Sequence, residues 1–244
     1  MDAYKLKWIA IIAMILNHAA HVFEEILPLA VAFPIYAAGG FTFPIMAYFI
    51  SEGYKYTSSL EKYIMRLLIF GLLASPFFIF AFSGFALNIM FTIALGLIVL
   101  LMYDKMKVRP FFWVIFVLIL VLTAALPLDW SFIGVIVMFL YHAIKNEKLR
   151  RIIPGIVAGV LLMTLSALGI MPILQEGGNI GIGDLKDFGF AVSCFSATIL
   201  LSRFNGERGK RMKWLFYTFY PIHLAVLTAV AFFIGILAFP VFNF

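Results

Sequence analysis

The chain has 244 residues, of which 64% are hydrophobic and 12% charged, and its mean hydropathy is +1.08. A soluble domain carries about 25% charged residues, so an ordinary globular protein is excluded and lipid is the expected solvent. The net charge of +6 and pI near 9.4 would suggest nucleic acid in a soluble protein. Here the basic residues flank apolar runs, so topology and lipid headgroups account for them, and no nucleic-acid partner is expected.

A helix needs about 20 apolar residues to cross the hydrocarbon core. The runs are continuous, without the period-two alternation of a barrel strand. The first predicted span covers Leu6–Phe23. Its basic start resembles a signal peptide, but no small-residue cleavage site follows, so it is read as a retained helix. It contains Asn17 and His18. His18 lies eleven residues past Lys7, or about 16 Å at 1.5 Å per residue, beyond the middle of the membrane. A neutral imidazole at that depth is either a general base or a packing group bonded across helices. His21, beside Glu24 and Glu25, reads as a solvated interfacial residue.

The second span covers Pro34–Tyr54 and the third Tyr63–Phe82. Glu52 in the last turn of one and Arg66 one turn into the other are expected to face each other. Lys55 and Lys62 lie in the loop between. The fourth span, Leu87–Tyr103, opens with Asn88 and Thr92, four apart and therefore on one face. Asn88 is a helix cap or a site residue. The fifth and sixth spans cover Phe111–Pro127 and Trp130–Ile144, with His142 read as solvated beside Lys145. The seventh covers Ile152–Ile173, the eighth Phe188–Leu201 and the ninth Trp214–Pro240. In the ninth, Tyr220, Pro221 and His223 form a polar break near mid-membrane, which serves either a site or a kink. Gln175–Asp187 is the longest connection between spans, a connector or a lid. The sixth and eighth spans are short, so eight or ten crossings are alternatives to nine.

Lys and Arg in short loops stay cytoplasmic. With the N-terminus inside, every Lys and Arg except Lys186 falls on the inner side, and the C-terminus ends outside. The outer connections hold Glu24, Glu25, Asp129, Glu176, Asp184 and Asp187. The expected protein is thus an all-α polytopic bundle of about nine transmembrane helices in a bacterial inner membrane. Cys194 lies in an apolar run and reads as an inert buried thiol. The histidines show no metal-ligand spacing, so no metal is expected.

Four blocks, in order, resemble the TraX family of integral membrane acetylases named for conjugative pilin maturation. They are LKWIAIIAMILNHAAHV (6–22), FPIMAYFISEGYKYTSSLEKYIMRLLIFGLLASPF (43–77), NIMFTIALGLIVL (88–100) and FYTFYPIHLAVL (216–227). The resemblance implies one acyltransferase-like domain over 1–244. It would move an acetyl group from acetyl-CoA to an acceptor amine or hydroxyl at the membrane or beyond it. The acceptor would be a peptide or pilin N-terminus, a sugar or a glycan. His18 would be the catalytic base, assisted by Asn17. Asn88, Thr92, Tyr220 and His223 would line the acceptor site. Arg66, Glu52, Lys55 and Lys62 would serve the donor. The family pattern has Asp-His where this chain has Asn17-His18. The alternatives are a proton-coupled transporter or exporter using His18 and His223 as a relay, and a non-catalytic assembly subunit with a solid core. A homodimer is compatible with either enzyme or subunit.

Overall fold

A computed structural model describes residues 1–82, 84, 86–178, 185–210 and 212–237. Its described residues form ten α-helices and one short 3-10 turn. They are α1 (Ala3–Val22), α2 (Leu29–Ala38), α3 (Thr42–Tyr56), α4 (Leu60–Ala81), α5 (Ile89–Lys105), α6 (Arg109–Ala125), α7 (Ser131–Ala143), α8 (Glu147–Gln175), α9 (Lys186–Ser202) and α10 (Lys213–Phe233).

The helix starts follow local chemistry. The side chains of Asp2, Ser59, Asn88 and Asn146 accept from first-turn N–H groups of α1, α4, α5 and α8, satisfying donors that a helix leaves orphaned. Proline opens α6 within its first turn, where no N–H is needed. The helix α2, the turn Gly39–Phe41 and α3 run on as one 28-residue segment, Leu29–Tyr56, which begins before the expected Pro34. The helix α8 is longer than expected at both ends, and α10 stops at Phe233, short of Pro240. Much of the expected connector or lid, including Asp184, lies outside the described residues, as does the expected end of the ninth span.

Among the described residues, four segments are long and apolar enough to cross a membrane: Leu29–Tyr56, Leu60–Ala81, Glu147–Gln175 and Trp214–Phe233. The helices α6 and α7 are shorter apolar helices. One face of α6 presents Phe111, Val114, Val117, Leu118, Val121 and Leu122, each more than half exposed. A soluble protein rarely leaves so continuous an apolar stripe in water. The chain is a multi-pass helical membrane protein.

Contacts define two ends. At the first, the backbone of Ala3 donates to Glu207, Arg151 reaches the carbonyl of Phe204, Glu52 binds Arg150, and Asp104 meets His142. This end gathers the basic clusters. At the other, Lys186 binds Glu24, Tyr36 donates to Asp187, and Leu87 bridges to Pro127 and Asp129. The helix α1 packs among α2, α3, α4 and α10. Gly39 and Gly40 let three elements meet beside it. A Cβ at Gly39 would stand 2.5 Å from Cγ of Asn17, and one at Gly40 would stand 2.1 Å from the carbonyl oxygen of Phe190 on α9.

Candidate active site

A cavity of about 1440 Å³ runs beside α1. On that helix it touches Ala3, Lys7, Met14, Asn17, His18 and His21. Positions 3 to 21 are about 27 Å apart at 1.5 Å per residue. One space therefore spans nearly the whole helix, from the basic end to the acidic end.

At the acidic end the site is built on a histidine pair. Nδ1 of His18 lies 2.8 Å from Nε2 of His223, although the residues are 205 positions apart. Both rings are buried and lie nearly parallel, 17° apart. Nδ1 of His223 lies 3.0 Å from the carbonyl oxygen of Phe219. A carbonyl only accepts, so the network assigns the proton of His223 to Nδ1. Nε2 of His223 then accepts, and Nδ1–H of His18 donates to it. Nε2 of His18 is left with its lone pair. His18 is on the cavity wall, while His223 stands behind it. This is the geometry of an imidazole base held in one tautomer by a partner.

The edge of the His18 ring meets Phe82 and Tyr220. The hydroxyl of Tyr220 is buried without a hydrogen-bond partner among the described residues, and Tyr220 lines the cavity. Asn17 also lines it, but its Nδ2 donates to the carbonyl of Tyr36 at 2.8 Å, so its amide ties α1 to α2 rather than to His18.

Asn88 and Thr92 are fully buried, and neither is on the cavity wall. Asn88 caps α5 and donates through Nδ2 to the carbonyl of Gly71 at 2.8 Å. Thr92 donates to the carbonyl of Asp129 at 2.5 Å. That carbonyl belongs to a strained corner: Trp130 and Ser131 have φ of 61° and 37°, costly for side chains with a Cβ. Stacking of Trp130 on Phe43, at 4.3 Å, holds the corner. It presents Asp129 to the cavity, and burial pushes that carboxyl up to about 7.

At the basic end Glu52 and Arg66 both line the cavity but do not pair. Glu52 binds Arg150, a guanidinium only 1% exposed, and Lys55 at 3.1 Å. Arg150 arrives from α8, which the sequence separates from Glu52 by 98 positions. The Arg66 guanidinium instead lies over the rings of Tyr63 and Tyr217. Lys62 is exposed, and neither Lys55 nor Lys62 is on the wall. Two histidines correct the expected picture. His142 is buried, not solvated, with Nε2 2.8 Å from Oδ1 of Asp104, because α5 and α7 pack side by side. His21 is half-buried against Tyr36 and Phe82 and lines the cavity.

Sequence reasoning missed Asp129, Tyr36 and Asp187 at the acidic end, and Lys7, Arg151, Arg208 and Lys210 at the basic end. All but Tyr36 read as topological charges, and Tyr36 as part of the general aromatic surplus. Among the described residues no cluster of three or more His, Cys, Asp or Glu could hold a metal ion.

The fold and site define a multi-pass membrane protein with a buried histidine pair on a long internal cavity. A family model described as TraX protein matches residues 3–231, so this chain belongs to the TraX family. It is similar to a Dichelobacter nodosus protein described as "Probable fimbrial assembly protein FimC, serogroup H1". The two are 30% identical over 260 aligned residues, covering 96% of this chain and 97% of the relative. No solved structure matches.

Proposed function

We propose that the protein is a membrane acetyltransferase that carries an acetyl group from cytosolic acetyl-CoA to an amine or hydroxyl at the membrane or its outer side. The observation that carries this reading is the free Nε2 of His18 on a cavity that continues to the basic end. The basic end faces the cytosol under the positive-inside rule. The thioester enters there and extends toward His18. The acceptor approaches from the acidic end. Nε2 of His18 takes the acceptor proton as the nucleophile attacks the acetyl carbon. The tetrahedral intermediate collapses, the carbon–sulfur bond breaks, and the thiolate leaves with the proton from His18. The unpartnered hydroxyl of Tyr220 is the donor placed for the developing oxyanion. The asparagine amides are committed to Tyr36 and Gly71.

The name of the Dichelobacter relative makes a fimbrial or pilin subunit the first acceptor to try. The decisive test is incubation of purified protein with labelled acetyl-CoA and cell extract. Label should enter an acceptor, and His18→Ala should lower the rate by about 10²–10⁴, the usual worth of a general base. Near-full turnover by a folded His18→Ala protein would refute the assignment. A cavity touching both ends also suits a transporter, for which acetyl-CoA would leave the melting temperature unchanged. A solid core, expected of a purely structural subunit, is not what α1 borders.

A further inference from the structure

The structure assigns the basic chamber of the cavity to a phosphorylated nucleotide ester, gripped by Lys7, Arg66, Arg151, Arg208 and Lys210; the choice of coenzyme A as probe rests on the acetyltransferase reading. These five cations line one chamber with two acids, Glu52 and Glu147. Arg150 engages both acids; Glu52 also binds Lys55, and Glu147 also lies 4.0 Å from Nε of Arg151. Lys7, Arg66, Arg208 and Lys210 have no carboxylate partner among the described residues, and Lys7 and Arg208 lie close enough to repel. Nε of Arg66 and Nε of Arg151 are buried without a hydrogen bond. Gathering like charges and leaving guanidinium donors unmet is costly unless an anion supplies the missing acceptors. Guanidinium groups match phosphate in a fork of parallel hydrogen bonds.

The scaffold pre-positions these groups. Lys7 sits over Phe49 and Phe216, Arg66 over Tyr63 and Tyr217, and Arg151 over Phe204. Arg208 and Lys210 are exposed on the connection before α10. Tyr56, 82% exposed, also borders the cavity and offers a free ring on which a base can stack. A free aromatic face beside a line of cations fits a nucleotide better than a lipid headgroup, which has no base.

The test uses full-length protein in a neutral detergent and calorimetric titration. Coenzyme A and adenosine 3′,5′-bisphosphate should bind and compete, more weakly as salt rises. Pantetheine, which lacks the nucleotide, should bind at least about tenfold more weakly, as should coenzyme A to Arg66→Gln or to Arg208→Gln/Lys210→Gln, the cost of losing charge-assisted hydrogen bonds. Arg66→Lys should retain part of the affinity. Lys105→Gln, at the same end but off the cavity, should change nothing. Pantetheine matching coenzyme A, an equal loss in Lys105→Gln, or phosphatidylglycerol binding where the nucleotide does not would each overturn the assignment. S-acetylpantetheine serving as well as acetyl-CoA in transfer would remove the nucleotide site and leave the acetyltransferase reading intact. Competitive nucleotide binding with no acetyl transfer in any extract would do the reverse.

Discussion

His223 is worth replacing for a different reason from His18. It touches no cavity space, yet its Nε2 fixes the tautomer of the ring that does. His223→Phe should leave the acetyl-CoA KM near its starting value and lower kcat by about 10- to 100-fold, by analogy with metal-bound histidines that lose the partner orienting them. A KM effect with kcat intact would place His223 in binding instead. Asp129 offers a second test. Its carboxyl is pushed up to about 7 by burial, above the ordinary value of about 3.9. The folded state therefore holds that proton more tightly. The stability associated with it is complete below pH of about 3.9 and is lost as pH rises through about 7. Asp129→Asn should raise the melting temperature over the parent more at pH 8 than at pH 5. An equal gain at both would show that the carboxyl titrates normally. The histidines could be flagged from sequence because a polar ring in an apolar run has few uses. Asp129 could not, because its place in the cavity depends on a backbone corner that its neighbours do not announce.

Among the elements, the approach of α9 to the turn before α3 is the tightest. Gly40→Ala would place a methyl 2.1 Å from the carbonyl of Phe190. Backbone must move, and a loss of about 1–3 kcal/mol is expected from overpacking. Gly169 in α8 has nothing within 4 Å of its absent Cβ. Gly169→Ala should be neutral or stabilise by up to about 1 kcal/mol through helix propensity alone. Thermal unfolding of the pair checks both signs at once. Arg150 is the other element-scale joint, binding Glu52, Glu147 and the carbonyl of Tyr141. Arg150→Ala strands these acceptors and should cost about 3–5 kcal/mol, with donor affinity falling as Glu52 is released into the chamber. Helix positions were legible because apolar runs and capping residues are local. The Glu52–Arg150 pair was not: loop proximity favoured Arg66, whereas the aromatic rings of α4 and α10 take that guanidinium.

For the whole molecule, charge segregation was the strongest sequence signal, and the contacts gather those clusters at one end. Orientation in the membrane can be tested directly, since the native Cys194 is buried and poorly reactive. A Glu25→Cys protein should label with a membrane-impermeant maleimide in intact cells, and a Lys148→Cys protein only after permeabilisation. The reverse pattern would invert the proposed route of donor and acceptor. A continuous cavity, by contrast, was not legible, because it depends on which faces of α1, α4 and α10 are left apart.

The pairing of His18 with His223 also sets a timetable. The two residues are 205 positions apart, and synthesis adds about 5–20 residues per second. After the first helix emerges, its imidazole therefore waits on the order of 10–40 seconds for the last helix to arrive. During that interval a polar ring lies in the membrane without its final acceptor, and a chain released early carries His18 without the partner that aligns it. Under the acetyltransferase reading, a product truncated before α10 is therefore expected to be inactive, because it lacks His223.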